Sequence, residues 1–230
     1  MCGRYSLHAP RSDIASRYQY QEDWLADAMP RYNVAPGTDI ALLAMLEGRA
    51  GTVSVLMPAH WGFHPPWADA KAPSPINARA EKVATSPYFR HAFQTRRALV
   101  PANGWYEWRA TEAGDKQPYY ITHADGELLM FAGLWEPAGD DRATAAIITQ
   151  PAVNALRHIH PRMPTVLAPD CWASWMDPEL TERDQVRKAV RPLSPESLVA
   201  YPVSKRVNRP ANDDSELIEP VGGVDESTAP

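Results

Sequence analysis

Short apolar or alternating runs recur along the chain, whereas helical periodicity is sparse. The runs predict β-strands at 40–46, 52–57, 98–100, 118–121, 128–135 and 143–149. Helices are predicted over 12–17, 152–157, 171–176 and 181–190, with Ser12 and Asp170 as caps of the first and third and Pro151 opening the second. Many short strands with a few peripheral helices favour an α+β fold around a curved, mostly antiparallel sheet or barrel.

Proline is unusually frequent, at 23 of 230 residues, which argues against long-helix bundles. Five of these prolines lie within 58–75, together with Trp61 and Trp67. This segment is predicted to be a rigid surface loop, the kind of place where functional residues often lie.

The composition, with 44% hydrophobic and 22% charged residues, is that of a globular chain with one sizeable core. We expect one domain over 1–221 and a flexible tail over 222–230. No run approaches about 18 apolar residues and no signal peptide is evident, so we expect a soluble, cytoplasmic, monomeric protein without a membrane partner. The two cysteines, Cys2 and Cys171, cannot build a disulfide framework or a four-cysteine zinc site.

The net charge of -5 argues against nucleic acid until its distribution is considered. All 23 Lys and Arg lie at or before Arg209, and the 22 acidic residues before that point leave residues 1–211 with a net charge of +1. Residues 79–109 contain six basic and two acidic side chains, a local +4. A polyanion could dock there, although a solvated charged surface is the alternative.

The N-terminus carries the sharpest chemical signal, because initiator methionine is normally trimmed before a small residue such as Cys2. An α-amine, with a pKa of about 8, is far more often neutral at physiological pH than a lysine. A neighbouring thiol allows either attack on an acyl carbon or condensation with an aldehyde to a thiazolidine. An incidental terminal cysteine is the alternative.

Three other segments offer partners for this chemistry. Asn77 and Arg79 lie two apart, on one face if the chain is extended, and could hold the amine and a phosphate. Glu107 stands among three aromatic residues. If these neighbours desolvate its carboxyl, the pKa of Glu107 rises and suits it to acid–base catalysis; the alternative is a glutamate on an edge strand that faces water. His160 could transfer a proton or contact phosphate; with no cysteine or carboxylate suitably spaced from it and His158, we expect no metal.

Seven ordered motifs together resemble the SRAP (SOS response-associated peptidase) family over roughly residues 2–220. They are CGRY at 2–5, RYNVAP at 31–36, WG at 61–62, NAR at 77–79, GWYEW at 104–108, HPRMP at 160–164, and VS at 203–204 with VN at 207–208.

This resemblance implies a protein of the DNA damage response that recognises abasic sites in single-stranded DNA. It implies that Cys2 forms a stable thiazolidine crosslink with the ring-opened deoxyribose, with Asn77 orienting the amine, Glu107 driving ring opening and reversal, and His160 assisting. It also implies self-catalysed removal of Met1 and lyase-type activity. The residues expected to hold the strand are Arg4, Asn33, Trp67, Arg79 and Arg162.

Two departures from the family pattern concern the surroundings of the site. Some members carry paired tryptophans in the proline loop, whereas here only Trp67 follows Pro65 and Pro66, and many have Asp where this chain has Asn103.

We expect no cofactor, because condensation needs none and no glycine-rich phosphate-binding loop is present. The alternative is an N-terminal-nucleophile amidohydrolase or glutaminase, which this chain resembles only at Cys2 and Gly3.

Overall fold

The computed structural model describes residues 2–26, 30–48, 51–139 and 142–222. Within these ranges the strands are β1 (Tyr5–Leu7), β2 (Glu22–Asp23), β3 (Arg31–Val34), β4 (Asp39–Gly48), β5 (Gly51–Trp61), β6 (Asn77–Arg79), β7 (Arg97–Ala102), β8 (Gly104–Ala110), β9 (Lys116–His123), β10 (Leu129–Pro137), β11 (Ala143–Pro151), β12 (Arg162–Pro164) and β13 (Leu198–Pro202). The helices are α1 (Arg11–Arg17), α2 (Arg90–Thr95), α3 (Trp172–Met176) and α4 (Arg183–Ala189).

The strands form two sheets, one of which closes partly on itself. The larger follows the order β12-β11-β10-β7-β4-β5-β2, and β11 also pairs in parallel with the end of β5, which makes this part ring-like. The smaller has the order β13-β9-β8-β1-β3, with every pairing antiparallel. The predicted α+β class and its curved, mostly antiparallel core are therefore confirmed.

Side chains on alternate positions of the larger sheet enter two separate apolar clusters, as the strand period of two requires. On β10, Phe131 packs with Cys2, Tyr5 and Trp105, which places this cluster between the two sheets. The next residue of that strand, Ala132, packs on the other face, under the helices. Cys2 is thus built into the core that joins the sheets.

All six predicted strands are confirmed. Five lie within a longer strand, and the one predicted over 128–135 is β10, which begins one residue later and ends two residues later. The strands that the pattern did not predict are short or rich in polar and aromatic residues, such as β6 and β8. These two carry Asn77 and Glu107. Of the predicted tail over 222–230, only residue 222 belongs to the described residues. Met1, where processing is expected, also lies outside the described residues.

The helix predictions needed more correction. Segment 152–157 contains only a 3-10 turn, Asn154–Leu156, and the last helix is shortened to α4. The predicted caps are wrong: α1 is preceded by Pro10 and α3 by Cys171, and neither has a side-chain cap. Ser12 falls inside α1, and Asp170 inside a separate 3-10 turn.

The predicted surface loop begins later than expected. β5 continues through Trp61, which is fully buried and donates from Nε1 to the carbonyl of Ile76. Only the segment that follows β5 is a loop, and its Trp67 is 64% exposed. In the described ranges, no helix is long and apolar enough to cross a membrane.

Candidate active site around Cys2

Cys2 lies buried at the start of the described chain, next to β6. Asn77 donates a hydrogen bond from Nδ2 to the carbonyl oxygen of Cys2 over 2.9 Å. The register places Asn77 opposite Ile147 in the parallel pairing of β6 and β11. The pairing of this three-residue strand with β11 therefore positions the Asn77 amide. Among the described residues, the buried Oδ1 of Asn77 has no hydrogen-bond partner.

Glu107 sits in the middle of β8, opposite Tyr119 of β9. It is only 3% exposed, and this burial raises its pKa to about 7. Burial, reinforced by the nearby Glu107 carboxylate, also raises the pKa of the Cys2 thiol well above its ordinary value. The sequence left two interpretations of Glu107 open. Its burial agrees with the interpretation as a desolvated carboxyl and contradicts the one in which it faces water on an edge strand.

His160 approaches Glu107 from the segment that precedes β12. Its Nδ1 lies 3.6 Å from Oε2 of Glu107 and within hydrogen-bond distance of both backbone groups of Arg162, 2.9 Å from the oxygen and 3.1 Å from the nitrogen. Nδ1 can therefore donate to the carbonyl in one tautomer and accept from the N–H in the other. Desolvation lowers the pKa of His160, so the neutral ring dominates at pH 7.

A cavity of only about 10 Å³ separates these groups from the apolar residues beneath them. Its lining comprises Trp105, Glu107, Ile121, Leu156, Ile159, His160, Arg162 and Met163. This volume is about the minimum for one water molecule. Glu107 and His160 consequently lie in a closely packed environment rather than in an open cleft.

Arg162 lies beside this site but is held by protein groups. Its two terminal nitrogens pair with the two carboxylate oxygens of Glu81, and Nη2 also donates to the carbonyl oxygen and hydroxyl of Thr149 at 2.5 and 3.1 Å. Neither Glu81 nor Thr149 is indicated by the sequence pattern. Both become recognisable only through the pairing of β11 with β6 and β12.

Arg4 and Asn33 point into the protein. Asn33 is 2% exposed and donates from Nδ2 to the carbonyls of Val207, Arg209 and Asn212. Arg4 donates from Nη1 to Asn33 Oδ1 and to the carbonyl of Val207. In the structure, Asn33 therefore joins the segment after β13 to β3, and its expected contact with the DNA strand stays a prediction.

Arg79 and Trp67 are the predicted binding residues that the structure leaves most accessible. Arg79 is exposed at the end of β6, two residues beyond Asn77. Trp67 packs edge-on against Tyr88 with ring centroids 5.6 Å apart and borders a surface cleft of about 920 Å³. The cleft is lined by Pro66, Trp67, Pro87, Arg90, His91, Gln94, Arg96 and Glu136.

The positive segment 79–109 does not form one surface patch. Arg97 is buried and donates to the carbonyls of Phe93, Gln94 and Leu180, among others, while Arg96 pairs with buried Glu136 over 2.7 Å.

Asn103 has a structural role, since its Oδ1 accepts hydrogen bonds from the backbone N–H groups of residues 8 and 9. No cluster of three or more potential metal ligands occurs within the described ranges.

Sequence comparison gives a consistent result. The family model for SOS response associated peptidase (SRAP) matches residues 1–210. Abasic site processing protein YoaM of Bacillus subtilis is 34% identical, with 95% of this chain and 98% of the relative covered. YedK of Escherichia coli, of the same description, is also 34% identical, with coverage of 96% and 100%, and HMCES of Gallus gallus is 31% identical, with coverage of 96% and 78%.

Solved structures agree with the fold. A Bacteroides thetaiotaomicron protein superposes with a TM-score of 0.81 over 96% of this chain and all of that chain, at 23% identity. A phage-related protein of Bordetella bronchiseptica gives a TM-score of 0.72 at 30% identity, over 89% of this chain and 95% of the other. The fold, the site around Cys2 and the family match lead to one conclusion: this chain belongs to the SRAP family.

Proposed function

We propose that this protein processes abasic sites in single-stranded DNA by forming a covalent thiazolidine between residue 2 and the opened deoxyribose. The observation that carries the proposal is the convergence of Cys2, Asn77 and the Glu107–His160 pair, which come from four distant parts of the chain, at one largely buried site. We further propose that it acts as a cytoplasmic monomer through the domain formed by residues 1–221, and that it serves in the DNA damage response.

The reaction requires the α-amine of Cys2 and therefore removal of Met1. An abasic deoxyribose opens to an aldehyde at C1′, and the neutral amine adds to this carbon. Loss of one water gives an imine, and addition of Sγ to the same carbon, with its proton passing to the nitrogen, closes a five-membered ring. The balance is one aldehyde and one aminothiol giving one thiazolidine and one water, without a cofactor.

Glu107 is suited to the proton transfers of this sequence. A carboxyl with a pKa of about 7 is present in both protonated and ionised forms near neutral pH. It can protonate the ring oxygen when the sugar opens and the departing hydroxyl when the imine forms. His160, neutral and 3.6 Å away, can exchange a proton with it, and the same groups can catalyse the reverse reaction.

Asn77 is suited to hold the amine once Met1 is gone. Its Nδ2 already holds the Cys2 carbonyl, and its buried Oδ1 has no donor among the described residues. An unsatisfied buried acceptor costs about 1–3 kcal/mol. A neutral α-amine on the residue whose carbonyl is bound would supply this donor and keep its lone pair for the aldehyde.

Strand binding would depend on the accessible groups near the site. Arg79 can contact a phosphate beside the reacting sugar, and Arg162 can contribute charge, while Trp67 offers an exposed ring on which a base could stack. Such contacts are independent of sequence, as binding to a site without a base requires. The relatives described as abasic site processing proteins support the same substrate.

The amidohydrolase alternative fits the site less well. An acyl-transfer nucleophile needs a thiolate, whereas burial and Glu107 keep the Cys2 thiol protonated. In the thiazolidine route the amine attacks first, and the thiol adds later to an activated imine carbon.

Three variants at residue 2 test the proposal with abasic single-stranded DNA, a denaturing gel and intact mass. Cys2→Ala keeps the amine and should give only an imine, trapped by borohydride but lost on heating without it. Cys2→Ser should give at best a less durable oxygen ring. A form that retains any residue before Cys2 should give no stable adduct.

The wild-type adduct should have the mass of the two components minus one water. A heat-stable adduct from the form with a blocked amine would mean simple thiol addition and would overturn the proposal. Release of glutamate from glutamine by the wild type, without any DNA adduct, would favour the amidohydrolase instead.

A further inference from the structure

Glu81 lies in the turn after β6, outside the residues that would touch the sugar. We propose that Glu81 is a positioning residue, which acts through Arg162 to hold His160 against Glu107. This inference rests on the proposed function, because it concerns the rate of the same covalent step.

Glu81 and Arg162 form a bidentate ion pair. Nη1 and Nη2 of Arg162 each donate to one carboxylate oxygen of Glu81. This geometry restricts the orientation of a guanidinium more than a single contact would. The hydrogen bond from Arg162 also lowers the pKa of Glu81, so the carboxylate is ionised throughout the neutral range.

The pair differs from a typical surface ion pair because it is anchored to the sheet. Nη2 of Arg162 also donates to the carbonyl oxygen and the hydroxyl of Thr149, and the same carbonyl accepts the N–H of Ala80, next to Glu81. The Arg162 side chain is 19% exposed, whereas that of Arg206, which pairs with Glu216, is 45% exposed. Glu81 thus joins the turn after β6 to the beginning of β12 across β11.

Arg162 connects Glu81 to the position of His160. The backbone nitrogen and oxygen of Arg162 are the groups that hold Nδ1 of His160, and this Nδ1 lies 3.6 Å from Oε2 of Glu107. If Glu81 is removed, the Arg162 side chain loses one of its two partners, the other being Thr149, and the backbone of Arg162 is then held only by that side-chain contact and by the pairing of β12 with β11. A small displacement of a positioned catalytic group can lower a rate by up to about 100-fold.

Glu81 also balances charge beside the acid–base pair. Within the described ranges, Cys2 and His160 lie beside Glu107, and the terminal amine of the chain acts electrostatically on both Glu107 and His160. Lys116 of β9 and Arg162 also act on His160. Removing the Glu81 charge leaves Arg162 uncompensated, which favours ionised Glu107. The midpoint of the pH–rate profile should therefore move to lower pH.

The test compares Glu81→Gln, Glu81→Asp and wild type in single-turnover crosslinking between pH 5 and 9. Binding without chemistry is measured on single-stranded DNA containing a tetrahydrofuran abasic analogue, and folding by thermal unfolding. The matched control is Glu216→Gln, which removes a carboxylate from an exposed ion pair with Arg206.

We expect Glu81→Gln to crosslink about tenfold more slowly or worse, with the profile midpoint below that of wild type and the Kd within about twofold. Glu81→Asp, which keeps the charge but is shorter, should restore the midpoint and part of the rate. Glu216→Gln should match wild type in all three measurements.

An unchanged rate in Glu81→Gln would overturn the inference, as would a rate that falls in step with Kd, since Glu81 would then act on strand binding. A lower rate with an unchanged midpoint and a lower unfolding temperature would indicate a merely structural role and would also overturn it. Should Glu81→Gln not fold, Glu81→Asp decides: a rate below that of wild type with an unchanged Kd and unfolding temperature would support the inference, and an unchanged rate would overturn it. Absence of crosslinking by wild type would instead contradict the proposed function itself.

Discussion

Asn77 donates from its side-chain nitrogen to the backbone carbonyl of Cys2, across 75 positions of sequence. The contact depends on β6, which is only three residues long and is held in parallel register against β11. A residue at a chain end is ordinarily poorly ordered unless it is tied down. Here one amide ties the backbone of residue 2 to a strand next to Glu107 and His160.

Asn77→Ala should therefore slow crosslinking more than it lowers stability. The loss of one hydrogen bond costs about 1 kcal/mol of folding free energy, whereas an unanchored residue 2 should reduce the rate by about 10- to 100-fold. Single-turnover crosslinking and thermal unfolding provide the two measurements. Parallel losses in both, with no rate defect in the folded fraction, would contradict this role.

Glu107→Gln should affect kinetics more than affinity. General acid–base catalysis is typically worth about 10² to 10⁴ in rate, and the same group serves both directions. Crosslink formation and release should both slow, and the inflection near pH 7 in the wild-type profile should disappear. Binding to a tetrahydrofuran analogue should be kept. A variant that loses only affinity would make Glu107 a structural residue.

The same substitution should stabilise the protein at alkaline pH. The folded-state pKa of Glu107 is raised, so the stability associated with its protonated form is fully present below about pH 4.5 and is lost as pH rises through about 7. Gln keeps the shape without the charge. Glu107→Gln should match wild type near pH 4.5 and exceed it at pH 8 by up to about 3 kcal/mol.

Chemical unfolding at these two pH values measures the difference. A stability difference that does not change between pH 4.5 and 8 would show that Glu107 is not desolvated in the folded protein.

Arg79→Ala should weaken binding to single-stranded DNA of any sequence. One lost phosphate contact should reduce the slope of log K against log salt by about 0.7. Fluorescence anisotropy at several salt concentrations tests this, with Arg187→Ala, an exposed arginine of α4, as the control. An unchanged slope would remove Arg79 from the path of the strand.

Gly104→Ala should disturb the strand that carries Glu107. A Cβ at Gly104 would lie 2.5 Å from the backbone oxygen of Ile121 and from the Tyr120 ring. Relief of such overlap typically costs about 1–3 kcal/mol and would shift β8. We expect lower stability together with slower crosslinking.

Gly62→Ala is the matched control for this prediction, since its Cβ would make only ordinary contacts at 3.4 Å or more. Equal behaviour of the two variants in unfolding and crosslinking would contradict the clash at Gly104.

The sequence by itself determined the long strands and the fold class, because apolar runs such as β4 and β10 must be buried wherever they pack. It also determined which residues could carry the chemistry, since an aminothiol at residue 2 has particular reactivity in any fold, whereas the raised pKa of Glu107 depends on the burial that the fold provides. The order of the motifs was sufficient to indicate the family.

Only the tertiary structure decided which of these residues meet. Short strands such as β6 have too few residues to show a period, and their pairing is set by neighbours distant in sequence. Charge alone could not distinguish buried Arg97 from exposed Arg79 within one basic segment, and amide character could not distinguish Asn33 from Asn77. The partner of Arg162 was equally hidden, because an ion pair joining residues 81 positions apart is specified by strand register, and no local pattern encodes that register.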